Sequence, residues 1–313
     1  PSAELHLLRA RAQLLDTVRK FFTDRGILEV ETPLLCSSGV TDPAIEPLVV
    51  EQGVSLTQSR YLQTSPEYAM KRLLAAHGQP IYQITRAFRD GEAGSRHNPE
   101  FSILEWYRPG LDHHQLMDEV AELVLQCLGE KVVARHSYRA LFLQYLELDP
   151  MRASPEELEA AARECVEIGN IGADRDTWLD LLFTHALEPQ LAGEGLCFIY
   201  DYPASQAALS KVVPSGDMEI GQRFELDVDG LELANGYCEL TDPVEQRRRF
   251  EADNACRRQR GLEERPIDES FLQAIEQGLP ECSGVALGLD RLLMLMTGSD
   301  DIRSVLAFDW ERA

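Results

Sequence analysis

Apolar and polar residues alternate along two runs in the first half of the chain, at positions 84–88 and 101–107. The loop between these runs contains two glycines and the pair Asn98-Pro99. Alternation with a period of two is typical of β-strands, and glycine, asparagine and proline are typical of turns. The pattern therefore predicts a long antiparallel hairpin with Arg89 at its edge.

Helical spacing dominates the N-terminal segment, where Leu15, Val18 and Phe22 recur three or four positions apart. Apolar residues at this spacing lie on one face of a helix, and a following glycine commonly ends it. We therefore predict an N-terminal helix that ends at Gly26, followed by a strand over positions 27–30.

A second helix is predicted to begin directly after Ser65. Serine is a favourable N-cap, and Pro66 suits the first helical position because it has no N–H to leave unpaired. Glu67 lies in the first turn, where a carboxylate stabilises the helix dipole. This dipole role is one interpretation of Glu67, and a second interpretation is given below.

Positions 112–190 carry mostly helical patterns. Asp112 and Ser154 are good helix starts, and Trp178 and Leu182 belong to an apolar stripe at helical spacing. Such stripes are typical of a core. We interpret the segment as a helical insertion between the two halves of a catalytic domain.

Strand patterns resume after position 196, and the last of them contains Glu232 and Glu239, seven positions apart. Asn235 and Gly236 lie between them and predict a turn or bulge. A bend there would bring both carboxylates into one site. Their hard oxygen atoms are the ligands that Mg²⁺ prefers.

Charge and cysteine usage limit the class of protein. The chain has 30 basic and 53 acidic residues, a formal net charge of −23, which disfavours a large nucleic-acid surface. Seven cysteines without a Cys-x-x-Cys pair fit a reduced cytoplasmic protein better than a disulfide framework or a zinc site. His113 and His114 are interpreted as a surface pair at a helix start. No apolar run reaches the ~20 residues of a membrane span, so we expect a soluble protein without a membrane partner.

The hairpin sequence resembles motif 2 of the class II aminoacyl-tRNA synthetases, most closely the lysyl subclass. The matching elements are Phe-Arg-Asp at 88–90, His-Asn-Pro-Glu-Phe at 97–101 and Leu-Glu-Trp-Tyr at 104–107. Positions 284–295 resemble motif 3. The N-terminal helix, the strand after it and Pro33 resemble motif 1, which forms the dimer interface in that family.

The resemblance implies an α+β fold, with an antiparallel sheet flanked by helices and the helical insertion at about 112–190 between motifs 2 and 3. It further implies one catalytic domain over positions 1–313 and a homodimer formed through motif 1. The motif 1 helix begins within the first ten positions, so we expect no anticodon-binding domain and no contact with a tRNA anticodon.

ATP and Mg²⁺ are the cofactors that this resemblance implies. Arg89 would bind the α-phosphate and the substrate carboxylate, and Arg291 the γ-phosphate end and one adenine face. Phe101 would stack on the other adenine face, and Glu232 with Glu239 would hold the Mg²⁺. No side-chain nucleophile is needed. The resemblance assigns further nucleotide contacts to Asp90, Gly91, Asn98, Leu233 and Gly288.

The substrate side of the predicted site is acidic. Glu67, Glu105, Tyr107 and Glu239 supply three carboxylates and one phenol, which suits a substrate with two ammonium groups, such as lysine or an isomer. In this interpretation Glu67 faces the amino-acid pocket, and a neutral substrate would leave buried carboxylates unpaired. The resemblance assigns further substrate contacts to Ser65, Pro66, Asn235 and Ala286.

Two departures distinguish the chain from lysyl-tRNA synthetases. Ala286 stands where those enzymes have glycine, and an added methyl in a packed pocket costs about 1–3 kcal/mol, roughly 10- to 200-fold in substrate preference. Gly91 stands where they have an adenine-side glutamate, for which Glu92 is the nearest substitute. Both features, with positions 104–109, resemble the paralogues that activate (R)-β-lysine as an adenylate and join it to a lysine ε-amine of elongation factor P.

Three alternatives stay open from sequence. The chain could be a truncated lysyl-tRNA synthetase that acts on tRNA, or a paralogue that binds lysine or ATP without catalysis. Positions 244–260 predict a helix with six arginines. A solvated face is the favoured interpretation of these arginines, and a docking patch for an acidic macromolecule is the alternative.

Overall fold

The computed structural model describes residues 1–167, 169 and 174–313. The helices are α1 (Leu5–Thr23), α2 (Glu67–His77), α3 (His113–Leu128), α4 (Tyr138–Leu146), α5 (Pro155–Cys165), α6 (Arg175–Leu182), α7 (Glu188–Leu191), α8 (Pro243–Gln259), α9 (Glu269–Gly278), α10 (Leu289–Thr297) and α11 (Ile302–Val305). The strands are β1 (Leu28–Glu29), β2 (Leu35–Cys36), β3 (Val49–Val50), β4 (Arg60–Leu62), β5 (Ile81–Phe88), β6 (Glu100–Pro109), β7 (Val133–Ser137), β8 (Leu196–Pro203), β9 (Val212–Ser215), β10 (Met218–Val228), β11 (Leu231–Cys238) and β12 (Cys282–Gly288).

The chain divides into two compact units. The first contains Pro1–Asp112, Gln126–Leu128 and Leu240–Ala313, and the second contains His113–Leu125 and Gly129–Glu239. Most of the predicted insertion lies in the second unit and is helical apart from β7. Positions 168 and 170–173 of the insertion lie outside the described residues.

The first unit is built on the predicted hairpin. β5 and β6 pair antiparallel, with Ile84 opposite Leu104, and β12 pairs antiparallel with the other edge of β6. β1 pairs parallel with β5, so the predicted antiparallel sheet carries a parallel strand at this edge. The sheet is mixed. β2, β4 and β3 form a separate small antiparallel sheet.

Helix α1 covers one face of this sheet, as its apolar stripe predicted. Phe22 stacks on Tyr82 with ring centroids 4.3 Å apart and meets the edge of Trp106 at 5.3 Å. Phe22 and Trp106 are fully buried. Removing a buried aromatic ring costs about 3–5 kcal/mol, so Trp106→Ala would strongly destabilise the first unit. The opposite face of the sheet carries the candidate chemistry.

The second unit is organised around β8, β10 and β11, which pair antiparallel. β9 pairs with β10, and β7 pairs parallel with β8. Helices α4 to α7 pack through a core that includes Tyr138, Trp178 and Cys197. Ser154 and Glu157 form a capping box at the start of α5, which confirms the helix start predicted there.

No helix among the described residues combines the length and the apolar character needed to cross a bilayer. The arginine-rich helix predicted over positions 244–260 is confirmed as α8 (Pro243–Gln259).

Candidate active site

Arg89 lies at the end of β5, where the two hairpin strands separate. Its backbone N–H donates to the Pro99 carbonyl at 2.9 Å. The guanidinium carbon is 5.0 Å from the centre of the Phe101 ring, and Nη1 is 3.7 Å from Glu92 Oε1. Among the described residues, its buried Nε has no hydrogen-bond partner. Leaving a buried donor unpaired costs free energy, so an anion in this position would satisfy it.

Arg291 meets the same hairpin loop from α10. Its Nη2 is 2.8 Å from His97 Nε2, and its Nε donates to the Arg96 carbonyl at 3.4 Å. Burial lowers the pKa of His97, and the neighbouring Arg291 lowers it further. A neutral His97 accepts from Arg291. The structure therefore brings two guanidiniums, Arg89 and Arg291, to one loop.

Asp290 fixes the start of α10, and so the direction in which Arg291 projects. Its buried carboxylate accepts from the Ser102 N–H at 2.6 Å and from Arg11 Nη2 at 2.5 Å. These two bonds tie α10 to β6 and to α1. A carboxylate that accepts charge-assisted bonds in a buried position is held firmly.

The hairpin loop has its own constraints. Gly91 has φ +77°, a conformation that a glutamate would adopt only with strain. Its N–H donates to Asp90 Oδ1 at 2.9 Å. Asn98 uses its amide within the protein, because Nδ2 donates to the Glu100 carbonyl at 2.6 Å and Oδ1 accepts from the Trp310 N–H at 3.0 Å. A nucleotide contact by Asn98 would therefore use the second hydrogen of its amide group.

Gly288 leaves space at the end of β12. Its φ of −75° is open to any residue, and an added Cβ would only touch the Arg291 side chain at an ordinary 3.7 Å. Neither backbone strain nor protein packing requires glycine here. Close approach of a ligand is a physical reason for the missing side chain.

The predicted substrate residues of the first unit lie on one face of the sheet. Tyr107 donates its hydroxyl to Glu105 Oε1 at 2.6 Å, and both side chains are buried. Ala286 is directly opposite Glu105 in the β12–β6 register, and Gly284 is opposite Tyr107. Directly opposed residues share a face, so the Ala286 methyl lies beside this acidic pair.

Glu67 already has an ammonium partner within the protein. Lys71 is buried, and its Nζ is 2.5 Å from Glu67 Oε1. Helix α2 begins at Glu67, one position later than predicted, although Ser65 Oγ still accepts from the Glu67 N–H at 3.1 Å. Pro66 is buried, and its carbonyl accepts from the Met70 N–H.

In the second unit, the predicted turn at Asn235 and Gly236 is wrong. Both residues lie inside β11, paired with Glu225 and Phe224. Glycine can adopt extended backbone angles, so pairing with β10 outweighed the turn preference of the dipeptide. The irregularity lies elsewhere, because the register shifts opposite Leu226 and Asp227 and leaves Leu233 as an extra, buried residue.

This bulge sets which side chains share a face. Glu232 opposes Asp227 and Asn235 opposes Glu225, so Glu232 and Asn235 lie on one face although their spacing is odd. Alternation continues from Asn235 to Glu239, which is buried and bridges to Ser210 just beyond the strand. Glu232 and Glu239 therefore share a face, as predicted, by a different route.

Glu239 lies just beyond the end of β11, several strand positions along from Glu232. Glu225 is a nearer partner for Glu232 and was missed from sequence. Its Oε1 accepts from Asn235 Nδ2 at 3.1 Å and from Arg223 Nη2 at 2.5 Å. The signal was available in the alternation of β10, where Glu225 and Asp227 share the face of Asn235.

This face fits a hard cation. Glu225 and Glu232 are diagonal neighbours across β10 and β11, and carboxylate oxygens suit Mg²⁺. Among the described residues, the buried Oδ1 of Asn235 has no hydrogen-bond partner. The guanidinium of Arg223 currently neutralises Glu225, so a cation here would share that carboxylate with it.

The arginines of α8 are mostly paired. Arg247 bonds Glu269, Arg248 and Arg249 both bond Glu245, and Arg258 bonds Glu264. Arg257 is fully buried against Glu46. These contacts favour the solvated-face interpretation over a docking patch for an acidic macromolecule.

Comparison with known proteins identifies the family of the chain. Residues 3–312 match the family of class II tRNA synthetases (D, K and N). The chain is 49% identical over its whole length to 98% of the elongation factor P–(R)-β-lysine ligase of Proteus mirabilis (strain HI4320). It is 47% identical, with the same coverage of each chain, to the proteins of that name from Pectobacterium atrosepticum and Salmonella typhi.

Proposed function

The chain belongs to the class II tRNA synthetases (D, K and N), and from this premise we propose that it activates (R)-β-lysine with ATP and joins it to elongation factor P. The acceptor is the ε-amine of a specific lysine of that protein, and the product is an amide. The chain is then an ATP-dependent ligase that acts on a protein substrate.

The choice of (R)-β-lysine as the substrate rests on the position of Ala286. Its methyl stands beside Glu105 and Tyr107, where a glycine would leave room. A lysine whose amino group is shifted by one carbon presents a different shape at this acidic pair. A methyl group in a packed pocket discriminates by about 10- to 200-fold, which is enough to separate two isomers of lysine.

Activation joins two anions, so the protein must offset their charge. A carboxylate oxygen of the substrate attacks the α-phosphorus of ATP, an O–P bond forms, and pyrophosphate leaves. Arg89, with its buried unpaired Nε, binds the α-phosphate and the attacking carboxylate. Arg291, directed by Asp290, binds the far phosphates and one adenine face, while Phe101 supports the other face.

Transfer needs an amine nucleophile and no covalent enzyme intermediate. The acceptor ε-amine, as the neutral base, attacks the acyl carbon of the adenylate, a C–N bond forms, and AMP leaves with the bonding electrons of the broken C–O bond. Glu67 and Glu105 of the first unit hold ammonium groups of the substrate, and the resemblance assigns the same role to Glu239. Glu67 exchanges or shares its present partner, Lys71, when the substrate binds.

Mg²⁺, when bound, neutralises the triphosphate and lowers the charge on the departing pyrophosphate. Class II ligases of this kind use ATP and a divalent metal. We assign the metal to Glu225 and Glu232, which share a face of the second unit, and we assign Glu239 to the substrate alone. The pair of Glu232 and Glu239, which the resemblance implied for the metal, is thereby divided between the two roles.

We also propose a cytoplasmic homodimer formed through motif 1. Leu28 and Leu35 are 59% and 42% exposed beside the N-terminal helix, and Leu5 and Leu34 add further exposed apolar surface. Exposed leucines grouped in one motif are typical of a protein interface. Size-exclusion chromatography with light scattering measures the oligomeric state directly.

The decisive experiment offers α-lysine, (R)-β-lysine and (S)-β-lysine separately with ATP and measures pyrophosphate exchange. The labelled product is then sought on elongation factor P and on tRNA. We expect (R)-β-lysine to be preferred and label to appear on elongation factor P. Equal use of α-lysine would contradict the substrate assignment, and label on tRNA alone would favour a truncated lysyl-tRNA synthetase. Absence of exchange with every substrate would favour a non-catalytic paralogue.

A further inference from the structure

Three side chains of different chemistry, none of them assigned above, meet at the start of β8. His136 Nε2 lies 3.0 Å from Glu194 Oε2, and Cys197 Sγ lies 3.7 Å from the same oxygen. One ligand atom from each residue lies within 4.8 Å of the other two. Nitrogen, oxygen and sulfur donors therefore converge on one point.

These separations match a tetrahedral ion. Zinc–ligand bonds of about 2.0–2.3 Å at tetrahedral angles put neighbouring donor atoms roughly 3.3–3.7 Å apart. The two measured separations are close to that range without any movement of the backbone. Imidazole, carboxylate and thiolate are also the three ligand types that zinc accepts in proteins.

The fold holds the three residues in place. β7 and β8 run parallel, with Ala134 opposite Cys197, so His136 projects from the same face one alternation further along. Gly195 has φ +87°, and an added Cβ would lie 2.5 Å from the Val132 carbonyl oxygen. This close approach presses the segment that carries Glu194 against the start of β7. A set of ligands held by packing loses little entropy on binding a metal.

The local charge favours a cation. Cys197 is buried, and Asp227 is its partner across β8 and β10. The Glu194 carboxylate lies 3.7 Å from the Cys197 thiol, so a metal ion would offset the negative charge of Glu194 and Asp227. His136 and Glu194 are about a quarter to a third exposed, which gives an ion a path to the site.

We propose that His136, Glu194 and Cys197 form a zinc site, with water as the fourth ligand. Three protein ligands and one open position are typical of zinc sites that are not purely structural. The site links the edge strand β7 to the segment before β8. No sequence pattern predicted this site, because 58 positions separate His136 from Glu194 and the parallel pairing of β7 with β8 brings them together.

A second group of possible ligands within the described part of the chain is less suitable. His113, His114 and Asp201 lie together, with His113 Nε2 3.2 Å from Asp201 Oδ1. His113 is the first residue of α3, and the positive end of a helix dipole disfavours a cation there. This group contains no thiol, so spectroscopy distinguishes the two.

Cobalt(II) titration of the full-length, metal-stripped protein tests the proposal. Cobalt bound by a thiolate gives an intense sulfur-to-metal charge-transfer band, which the carboxylates of the Mg²⁺ face and the His113 group cannot produce. We expect one equivalent of Co²⁺ with this band, and its stoichiometric displacement by Zn²⁺. The titration is run in excess Mg²⁺ so that carboxylate sites are occupied.

Variants assign the ligands. Cys197→Ser should abolish the charge-transfer band, and His136→Gln should weaken Zn²⁺ binding at least ten-fold. Cys165→Ser and His185→Gln remove an exposed thiol and an exposed imidazole from the same unit and should change neither. His136 is partly exposed, so its variant stays informative even where Cys197→Ser misfolds. A wild-type protein without the band, or a band that persists in Cys197→Ser, would overturn the proposal.

Discussion

Ala286 stands directly across from Glu105 in the ladder between β12 and β6, so its methyl shares a face with a buried carboxylate. That carboxylate is itself held by the Tyr107 hydroxyl at 2.6 Å. The pair cannot turn away from the methyl without breaking this bond. The position therefore controls the shape of the space in front of the acidic group.

Ala286→Gly should move the preference of the enzyme from (R)-β-lysine towards α-lysine. The expected change in the ratio of kcat/KM values is about 10- to 200-fold, because one methyl is removed from the pocket. Pyrophosphate exchange with each isomer measures it. Ala134→Gly in β7 is the control for the general effect of glycine in a strand, and it should leave the ratio unchanged. An unaltered ratio in Ala286→Gly would remove Ala286 from the specificity argument.

Arg89→Ala should lower the rate of adenylate formation by about 100- to 1,000-fold, since a preorganised donor to the reacting phosphate is lost. Arg86→Ala on the same strand is the matched control, because Arg86 is 46% exposed and only 3.7 Å from Glu100. Single-turnover pyrophosphate release separates the chemical step from product release. Equal losses in the two variants would point to folding of the hairpin rather than to phosphate binding.

Lys71→Met should destabilise the first unit by about 3 kcal/mol, because it leaves the Glu67 carboxylate without its buried ion partner. The exposed pair of Lys20 and Asp24 has the same spacing, and Lys20→Met should cost less than about 1 kcal/mol. Urea unfolding followed by circular dichroism gives both values. Similar losses for the two lysines would mean that burial does not strengthen the Glu67 pair.

Glu225→Gln should raise the Mg²⁺ concentration needed for half-maximal adenylate formation at least about ten-fold. The carboxylate shares its face with Glu232 and Asn235, whereas Glu219 on the same strand is exposed and away from that pairing. Glu219→Gln is therefore the control and should behave as the wild type. A Mg²⁺ requirement that does not change in Glu225→Gln would return the metal assignment to Glu232 alone.

Asp253 should make stability fall as the pH rises from about 4 to about 6. Burial raises its pKa from 3.8 to about 6, with Asp42 adding to the shift, while the Thr41 hydroxyl bond, Arg249 and Arg257 oppose it. Between these values the folded protein keeps a proton that the unfolded chain has released, so increasing pH favours unfolding. Above a pH of about 6 the Asp253 carboxyl is deprotonated in both the folded and the unfolded state, so this loss of stability is complete.

Asp253→Asn should remove this slope, and urea unfolding at several pH values between 4 and 7 measures it. Asp300→Asn, an exposed aspartate of the same unit, is the control. A slope that survives in Asp253→Asn would assign the pH dependence to another group.

Local sequence patterns were sufficient to predict the hairpin, α8 and the strand and helix of motif 3, because alternation and helical spacing there agree with the tertiary structure. They failed at Asn235 and Gly236, two residue types that are typical of turns but lie here in a paired strand. Cross-strand pairing outweighed local preference. The bulge at Leu233 has no sequence signal, since a leucine in an apolar run is equally typical of a regular strand.

In the candidate site, too, some features could be predicted from the sequence and others depend on the folded structure. Arg89 and Arg291 could be proposed from motifs. The burial of the Arg89 Nε without a hydrogen-bond partner among the described residues is a property of the folded hairpin and has no signal in the sequence. The Glu67–Lys71 pair was visible as a four-residue spacing on α2 and was missed because the pocket role of Glu67 was favoured. Glu225 required the register of β10 against β11.

Because Leu233 is an extra, unpaired residue, Glu232 and Asn235 lie on the same face of strand β11 although they are three positions apart. Deleting it would remove the bulge and leave Glu232 and Asn235 two positions apart, still on the same face of the strand. Substituting Leu233 would leave the count, and hence the side on which each acid emerges, intact. The orientation of Glu232 relative to Asn235 therefore survives both the loss of Leu233 and its replacement, whereas the extra twist of β11 at this point depends on the bulged residue being present.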